Sequence, residues 1–293
     1  MTAGRPGTLY VVATPIGNLE DISLRALRVL REAALVAAED TRRTRKLLTH
    51  HGIRGRLVSL REHNERARAP VLVRRLLDGD SIALVSDAGT PGLSDPGATL
   101  VRAAADAGVP VVPVPGASAV LAALVASGLP AEPVTFFGFL PARGAERRRA
   151  LEALRDLPHT LVLFEAPHRL REALDDLLEV LGDRRIVVAR ELTKVHEEVY
   201  RATLSEAVRH FSAHPPRGEF TLVIEGTRLS ETGTGDAAAA VEAARESACD
   251  ALRRAASGGC SPRESVRRAV EASGLRRNEV YRLWLAIQQE ARR

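Results

Sequence analysis

The sequence predicts two consecutive α/β domains and a short C-terminal helical module, and three observations indicate this fold class. Between residues 8 and 226, short apolar runs alternate with stretches whose apolar residues recur at helical spacing. The apolar runs do not alternate with polar residues, which is typical of strands in a mostly parallel sheet that helices cover on both faces. Beyond a polar stretch near residue 230, the chain is Arg-rich and helical in pattern.

The first domain, residues 8–117, is predicted to contain five strands separated by helices. The predicted strands are residues 8–14, 35–40, 56–60, 81–87 and 110–116. The predicted helices are residues 22–35, 41–52, 65–79 and 95–108. Asp95 is expected to cap the last of these helices, with Pro96 in its first turn, because these residue types are favoured at those positions.

The second domain, residues 118–228, repeats the alternation. It opens with a helix over residues 117–128, which begins at the domain boundary. The predicted strands are residues 134–140, 160–166, 185–193 and 219–226, and the later helices are residues 144–156, 168–181 and 204–213. Residues 229–240 are a predicted polar linker, and residues 241–293 are a predicted basic module that resembles helix-turn-helix.

The end of the module is predicted to form two helices. Ser261 is expected to cap the first, with Pro262 in its first turn and Glu264 three residues after the cap, and Gly274 is expected to end it. The residues expected to form the apolar seam between the helices are Val266, Val270, Leu275, Val280, Leu283, Trp284 and Ile287. The residues expected on the basic surface are Arg263, Arg267, Arg268, Arg276, Arg277 and Arg282.

The length, charge and cysteine content of the chain limit the classes of protein to which it can belong. With 293 residues and 45% hydrophobic content, the chain can bury a full core. Its 42 Lys and Arg residues exceed its 37 Asp and Glu residues, and most of the cations are Arg. Either a partner rich in phosphate or a general bias toward Arg explains this excess.

Cys249 and Cys260 lack metal-site spacing, so we expect no metal. No signal peptide or membrane span is recognisable, and a cytoplasmic protein is expected.

Residues 85–101, VSDAGTPGLSDPGATLV, interrupt the alternation with three glycines and two prolines directly after a buried strand. Glycines at the carboxyl end of a parallel strand let the backbone approach a ligand closely. The pattern matches neither GxGxxG nor a P-loop. A tight turn without a ligand is the alternative, but a second small-residue turn, VPVPGASAV, favours a ligand cleft.

Six motifs occur in an order and spacing that resemble the ribosomal RNA small subunit methyltransferase I family of the tetrapyrrole methylase superfamily. They are YVVATPIGNLEDISLRAL, AAEDTRRTRKLL, VSDAGTPGLSDPG, PVPGASA, LFEAPHR and RELTKVHEE. The resemblance runs from about Thr8 to Gly226. It implies methyl transfer from S-adenosylmethionine to the ribose 2′-hydroxyl of a cytidine in the decoding region of small-subunit rRNA.

The resemblance also implies a cofactor cleft between the two α/β domains. The residues that it assigns to the cofactor are Pro15, Ala88, Gly89, Thr90, Leu93, Ser118, Ala119, Phe164, Glu165 and Leu192. Superfamily members that act on tetrapyrroles carry Asp where Thr90 stands, so the backbone contacts of this turn transfer more safely than its side-chain contacts.

A ribose hydroxyl is a weak acid, so an enzyme that methylates it must accept its proton. Lys194 is a candidate base if burial beside Arg190 lowers its pKa, and Asp87 is a candidate to orient the hydroxyl. Glu191 and Asn64 are further catalytic candidates. Polar clusters at predicted strand ends supply these residues and several others, namely Glu39, Asp40, Arg42, Glu62, His63, His196 and Glu197.

Recognition of RNA is assigned to basic side chains at three places, each of which could instead be an ordinary solvated surface. One is the cluster at the start of the second domain, namely Arg143, Arg147, Arg148 and Arg149. Arg42, Arg43 and Arg45 lie on the helix after AAED, and Arg276 and Arg277 lie in the C-terminal module. Resemblance to the superfamily further implies a homodimer. A tetrapyrrole C-methylase and a non-enzymatic nucleic-acid-binding protein are the alternative functions, although the second leaves the cleft motifs unexplained.

Overall fold

The structure is a computed structural model that describes residues 5–227, 243–255, 260–275, 280, 281, 283–285 and 287. Contacts divide the chain into two compact units, Met1–Thr227 and Arg228–Arg293. The first unit contains two five-stranded sheets, and most of the described residues of the second are helical.

The first sheet is entirely parallel, with the strand order β3-β2-β4-β1-β5. Its strands are β1 (Leu9–Val12), β2 (Leu35–Ala38), β3 (Leu57–Ser59), β4 (Ile82–Val85) and β5 (Val111–Val114). The helices that connect them are α1 (Leu24–Glu32), α2 (Thr41–His50), α3 (Glu62–Leu77) and α4 (Ala98–Asp106). The predicted parallel sheet is confirmed.

Helices cover both faces of this sheet, and consecutive residues of a strand point to opposite faces. Leu35 and Ala37 of β2 pack with the apolar side chains of α3 and α4. Val36 and Ala38 pack with those of α1 and α2. Burial on both faces explains why the strands are apolar throughout.

The second sheet is mixed, with the strand order β6-β7-β10-β8-β9. Its strands are β6 (Val134–Phe139), β7 (Thr160–Glu165), β8 (Arg185–Arg190), β9 (Glu198–Thr203) and β10 (Phe220–Ile224). Its helices are α5 (Ala119–Ser127), α6 (Gly144–Glu152), α7 (Leu170–Leu181) and α8 (Leu204–Ala213). Only β6 and β7 pair in parallel; β10 runs antiparallel to both β7 and β8, and β9 runs antiparallel to β8. Apolar side chains of α6, α7 and α8 cover one face, and those of α5 cover the other.

The expectation that Asp95 caps α4 is wrong. The N-cap residue is Gly97, which has a φ of +134° and no side chain to accept hydrogen bonds. Glu65 of α3 supplies the cap instead: its Oε1 accepts from the N–H groups of Gly97, Thr99 and Leu100 at 2.9 to 3.0 Å. Glu65 is only 6% exposed, so a buried carboxylate satisfies the amino end of α4.

In the second unit, residues 243–255 are helical, and a further helix spans Pro262–Ser273. Ser261 Oγ accepts from the Glu264 N–H, and Gly274 ends this helix with a φ of +70°, as predicted. The predicted seam is also confirmed, because Val266 and Val280 are buried in one cluster with the other five apolar residues. Ala248, Ala251, Leu252 and Ala269 complete that cluster.

Within the part of the chain that the structure describes, no helix is both long enough and apolar enough to cross a membrane.

Candidate functional site

The neighbouring parallel strands β1 and β4 of the first sheet are followed by connections that leave toward opposite faces of the sheet. The connection from β1 leads to α1 on one face, whereas the connection from β4 leads to α4 on the other face. Such a switch opens a crevice at the carboxyl ends of the strands, where open α/β sheets bind ligands. A cavity of about 340 Å³ lies at this place.

Both sheets of the first unit line the cavity. The loops after β1 and β4 contribute Ile16, Ala88, Gly89, Thr90, Leu93, Ser94 and Asp95. The start of α5 contributes Ser118, Ala119 and Val120. The second sheet and its loops contribute Phe139, Phe164, Glu165, Ala166, Pro167, Ala189, Glu191, Leu192, Lys194, Glu219, Phe220 and Thr221.

Gly89 joins the loops that follow β1 and β4. The Thr14 N–H donates to the Gly89 carbonyl at 2.8 Å, and the Gly89 N–H donates to the Thr14 carbonyl at 3.0 Å. Gly89 has a φ of +75°, a conformation that side chains disfavour, and a Cβ there would lie 3.5 Å from Ile16 Cγ2. The turn therefore places bare backbone at the cavity wall, which the glycines of this stretch predict.

Ser118 caps α5 at the edge of the cavity, where its Oγ accepts from the Leu121 N–H. Nearby, a Cβ added to Gly116 would lie 3.1 Å from Ala13 Cβ, so this loop packs closely against the end of β1. The small residues of PGASA thus bring the amino end of α5 to the ligand side of the first sheet.

Phe164 and Glu165 end β7 on the opposite wall. The Phe164 ring centroid lies 5.1 Å from that of Phe136 and 5.6 Å from that of Phe139, which makes this wall aromatic. Burial raises the pKa of Glu165, although a hydrogen bond from the Ala166 N–H and the charge of Arg169 oppose the rise. This wall can bury a planar apolar ligand group.

Lys194 lies in the loop after β8, between two carboxylates. Its Nζ donates to Glu191 Oε1 and to Glu219 Oε2, both at 2.8 Å. Burial lowers the pKa of Lys194, but these hydrogen bonds and charges outweigh burial, and its pKa is raised. The lowered pKa predicted for Lys194 is therefore wrong, and the residue stays cationic at neutral pH. The pKa of Glu191 is lowered, chiefly by the same hydrogen bond.

Acidic side chains gather where β2 and β4 end. Asp87 Oδ1 accepts from the Asp40 N–H at 2.9 Å, and Glu39 Oε2 accepts from the Asp87 N–H at 3.2 Å. Burial, together with the negative charge of Glu39, raises the pKa of Asp95 to about 6. Of these residues, Asp95 lines the cavity. No group of three or more His, Cys, Asp or Glu residues within the described part of the chain is placed to hold a metal ion.

The structure gathers most of the predicted cofactor residues in one place. All of them except Pro15 line the cavity, and Pro15 precedes the lining residue Ile16. Of the four catalytic candidates, Glu191 and Lys194 line the cavity, whereas Asp87 and Asn64 do not. Asn64 instead accepts from the Arg61 N–H through its Oδ1 at 2.8 Å, within the capping box of α3.

The predicted RNA-binding residues of the first unit lie on α2 and at the start of α6. In the α6 cluster, Arg147 is 3% exposed and is paired with Asp176, so its predicted contact with phosphate is wrong. Arg148 pairs with the same carboxylate at 2.8 Å.

On α2, Arg42 pairs with Asp40 at 2.8 Å, and Arg43 Nη1 approaches Asp87 Oδ2 at 3.5 Å. Arg42 and Arg45 line a shallow groove together with Lys46, Thr49 and His50. Arg276 and Arg277 lie outside the described residues.

The lining residues that the sequence did not predict include Asp95 and three residues around the start of β10. The sequence predicts Asp95 as a helix cap, whereas the observed cap comes from Glu65, thirty residues earlier in the chain. Glu219, Phe220 and Thr221 reach the cavity because β10 inserts between β7 and β8. The local sequence signal for Asp95 as a lining residue is its position directly after the glycine-rich turn, at the carboxyl end of a buried strand.

Comparison with known proteins places these features in a family. The model of the Tetrapyrrole (Corrin/Porphyrin) Methylases matches residues 8–208. The ribosomal RNA small subunit methyltransferase I of a Synechocystis strain is 42% identical over 97% of this chain and 99% of its own length. The protein of the same name from Thermotoga maritima is 47% identical over 75% of this chain and 99% of its own length.

A solved structure has the same fold. It is a uroporphyrin-III C-methyltransferase from Thermus thermophilus complexed with S-adenosylhomocysteine, at 22% identity and a TM-score of 0.53, over 74% of this chain and 97% of that chain. Because the family model spans more than half of the chain and both relatives are over 40% identical, the chain belongs to the tetrapyrrole methylase family and, within it, to the ribosomal RNA small subunit methyltransferase I proteins.

Proposed function

We propose that this protein transfers a methyl group from S-adenosylmethionine to the ribose 2′-hydroxyl of a cytidine in the decoding region of small-subunit rRNA. The observation that carries the proposal is the cavity at the switch point of the first sheet, which nearly all of the expected cofactor residues line. The names of the relatives support rRNA as the substrate. Such an enzyme acts in the cytoplasm.

The cavity suits the proposed cofactor in size and in chemistry. Its volume of about 340 Å³ falls within the range of small-molecule pockets. The bare backbone around Gly89 suits the amino-acid end of the cofactor, and the wall at Phe164 and Leu192 suits its adenosine. The Thermus relative supports this assignment, because its structure holds the demethylated form of the same cofactor.

Bound S-adenosylmethionine supplies a methyl group already activated on a positively charged sulfur. The protein therefore has to exclude water, align the attacking hydroxyl and accept its proton. The apolar residues of the cavity serve the first task. Lys194, held as a cation by Glu191 and Glu219, serves to position the substrate and is not the base.

RNA is proposed to reach the cavity across a basic surface that includes Arg42, Arg43 and Arg45. Arg42 and Arg45 line one groove on α2, which suits contact with backbone phosphates. Arg276 and Arg277 are proposed as further contacts. The protein is also proposed to be a homodimer, which sedimentation at micromolar concentration tests.

The deciding experiment combines calorimetry with methyl transfer. S-adenosylmethionine is titrated into the protein, and labelled cofactor is then supplied with small ribosomal subunits that lack the modification. We expect saturable binding and one labelled 2′-O-methylcytidine in the decoding region. Subunits that already carry this methyl group are the matched control and should remain unlabelled.

Other outcomes redirect the assignment. Label on uroporphyrinogen III, with none on subunits, would establish a tetrapyrrole C-methylase. Subunit binding without measurable affinity for S-adenosylmethionine would establish a non-enzymatic RNA-binding protein.

A further inference from the structure

Asp95 has a carboxylate that its own helix does not use. It lies two residues before the N-cap of α4, whereas an Asp that caps a helix commonly occupies the N-cap position itself. In this protein Glu65 satisfies the amides of Gly97, Thr99 and Leu100 instead. The Asp95 side chain is thereby released from capping, and it lines the cavity.

The backbone before Asp95 adopts an uncommon conformation. Ser94 has a φ of +65°, and the other non-glycine residues with positive φ in the described part of the chain are Glu191 and Thr193. Ser94 and Glu191 line the cavity, and Thr193 lies between the lining residues Leu192 and Lys194. Since such conformations are costly and cluster at functional sites, their position here indicates that the loop is held in a shape that serves the cavity.

Asp95 also differs from the other carboxylates of the cavity wall in its partners. Glu191 and Glu219 hold Lys194 at 2.8 Å, and Glu165 faces Arg169 at 3.5 Å. Among the residues that the structure describes, no cation forms an ion pair with Asp95. Within the described residues, Glu165 Oε2 is buried without a hydrogen-bond partner, but Arg169 lies beside that carboxylate. Asp95 is thus the carboxylate of this wall that can accept a proton without competition from a paired cation.

The electrostatic surroundings make Asp95 a stronger base than an ordinary aspartate. Burial is the largest cause, the charges of Glu39 and Asp87 add to it, and a hydrogen bond from Ser86 opposes it; the resulting pKa is about 6. The charged groups that face this acidic cluster or share the cavity are Asp40, Arg42, Arg43, Arg61, Glu165, Glu191, Lys194 and Glu219. A base with this pKa is largely ionised at pH 7 and still binds a proton.

We propose that Asp95 is the catalytic base that accepts the proton of the methylated hydroxyl, an inference that rests on the proposed function. As the hydroxyl oxygen bonds to the methyl carbon, the bond between that carbon and sulfur breaks, and the sulfur keeps the electron pair. The hydroxyl proton passes to the Asp95 carboxylate. The positive charge of the sulfonium and the negative charge of the carboxylate disappear together, and the acid later releases its proton to water.

The test compares Asp95→Asn with wild type in three measurements: cofactor affinity by calorimetry, turnover on unmodified subunits, and the pH dependence of turnover. We expect the dissociation constant for S-adenosylmethionine to change by less than threefold and kcat to fall by at least about 100-fold. Wild-type kcat/KM should rise with pH to a plateau, with a midpoint near 6, and Asp95→Asn should lose this rise. Asp95→Glu should restore part of kcat.

The control variant is Asp80→Asn. Asp80 pairs with Arg75 at 2.7 Å outside the cavity, and its replacement should leave kcat and the pH profile unchanged. A further measurement needs no variant: carbon NMR of the Asp95 carboxyl in the wild-type protein should give a pKa within one pH unit of the kcat/KM midpoint.

Several results would overturn the role of Asp95. An Asp95→Asn kcat within threefold of wild type would do so, as would a mismatch between the NMR pKa and the pH midpoint. A tenfold higher dissociation constant for S-adenosylmethionine with a normal kcat would mean that Asp95 binds the ammonium group of the cofactor and is not the base. Failure of the proposed function is a separate result, because wild-type protein would then transfer no methyl group to subunits.

Discussion

At the scale of single residues, Gly89 shows why the turn after β4 needs glycine. Its φ of +75° lies in the left-handed region, and its amide and carbonyl both bond to Thr14. We predict that Gly89→Val raises the dissociation constant for S-adenosylmethionine at least tenfold, because a branched side chain would strain the turn and project into the binding region. Calorimetric titration measures the change.

Gly108→Val is the matched control for this variant. Gly108 has a φ of +72° at the end of α4, and no atom lies within 4 Å of the position of its missing Cβ. Its replacement should cost a similar backbone strain, about 1–2 kcal/mol, and should leave the affinity for S-adenosylmethionine unchanged. Equal cofactor affinity in both variants and wild type would show that the Gly89 turn does not bind the cofactor.

The raised pKa of Asp95 also makes the stability of the protein depend on pH. Its folded-state pKa of about 6 lies above the unfolded value of about 3.9, so the folded protein binds this proton more tightly. The contribution of Asp95 to stability is therefore most favourable below about pH 4 and is lost as the pH rises through 6. We predict that Asp95→Asn is more stable than wild type at pH 8, by about 2 kcal/mol, and no more stable at pH 4. Urea unfolding at the two pH values measures this, and an Asp95→Asn variant less stable at pH 8 would contradict it.

The sequence predicts the chemistry of the cavity better than it predicts the individual roles there. Glycine and small residues at strand ends identify the cofactor loops, since backbone requirements are local. The state of Lys194 depends on Glu219, which is distant in sequence and adjacent in space. Pairings of this kind set a pKa, and no local pattern encodes them.

At the scale of secondary-structure elements, the amino end of α4 depends on α3. Glu65 accepts hydrogen bonds from three amides of α4 and is buried while doing so. We predict that Glu65→Gln lowers the free energy of unfolding by about 1–3 kcal/mol, because a neutral amide accepts less strongly and places a donor beside unpaired N–H groups. Urea denaturation gives the loss, and amide hydrogen exchange at Gly97, Thr99 and Leu100 should accelerate.

The comparison variant for Glu65 is Glu62→Gln, at the start of the same helix. Glu62 is exposed, so its replacement should change the free energy of unfolding by less than about 0.5 kcal/mol. Equal losses in the two variants would mean that Glu65 does not stabilise α4 through its cap.

The elements of the first sheet follow from the sequence more completely than those of the second. Strands buried on both faces are uniformly apolar, and five of them were predicted near their observed positions. In the second sheet, β9 was missed because Glu198–Thr203 is a half-exposed edge strand that contains Glu and Arg. The antiparallel insertion of β10 is a long-range pairing, which hydrophobic pattern alone does not specify.

At the scale of the whole molecule, the two units differ in their relation to the family. The family model ends within the first unit, and the Thermotoga maritima relative matches three quarters of this chain with nearly all of its own length. A quarter of this chain therefore has no counterpart in that relative. The complete candidate cofactor cavity lies within residues of the first unit.

Ending the chain at Gly235 tests whether the second unit contributes to RNA binding. We predict that the truncated protein keeps its affinity for S-adenosylmethionine within about twofold, because it retains the whole cavity. Affinity for small subunits should fall about tenfold, and the remaining binding should depend less on salt, since fewer counterions are released. Calorimetry and subunit binding over a salt series give these values.

A full-length variant with Arg267→Ala and Arg268→Ala separates the charges of the second unit from its presence. Both arginines are exposed, and both pair with Glu264, at 2.7 and 3.1 Å. A phosphate must compete with this carboxylate, so the double variant should lose less affinity than the truncation while showing the same direction of change in salt dependence. If the folded truncation binds subunits with unchanged affinity and an unchanged salt slope, the second unit takes no part in RNA binding. Its basic residues would then be ordinary surface residues around the apolar cluster of Val266 and Val280.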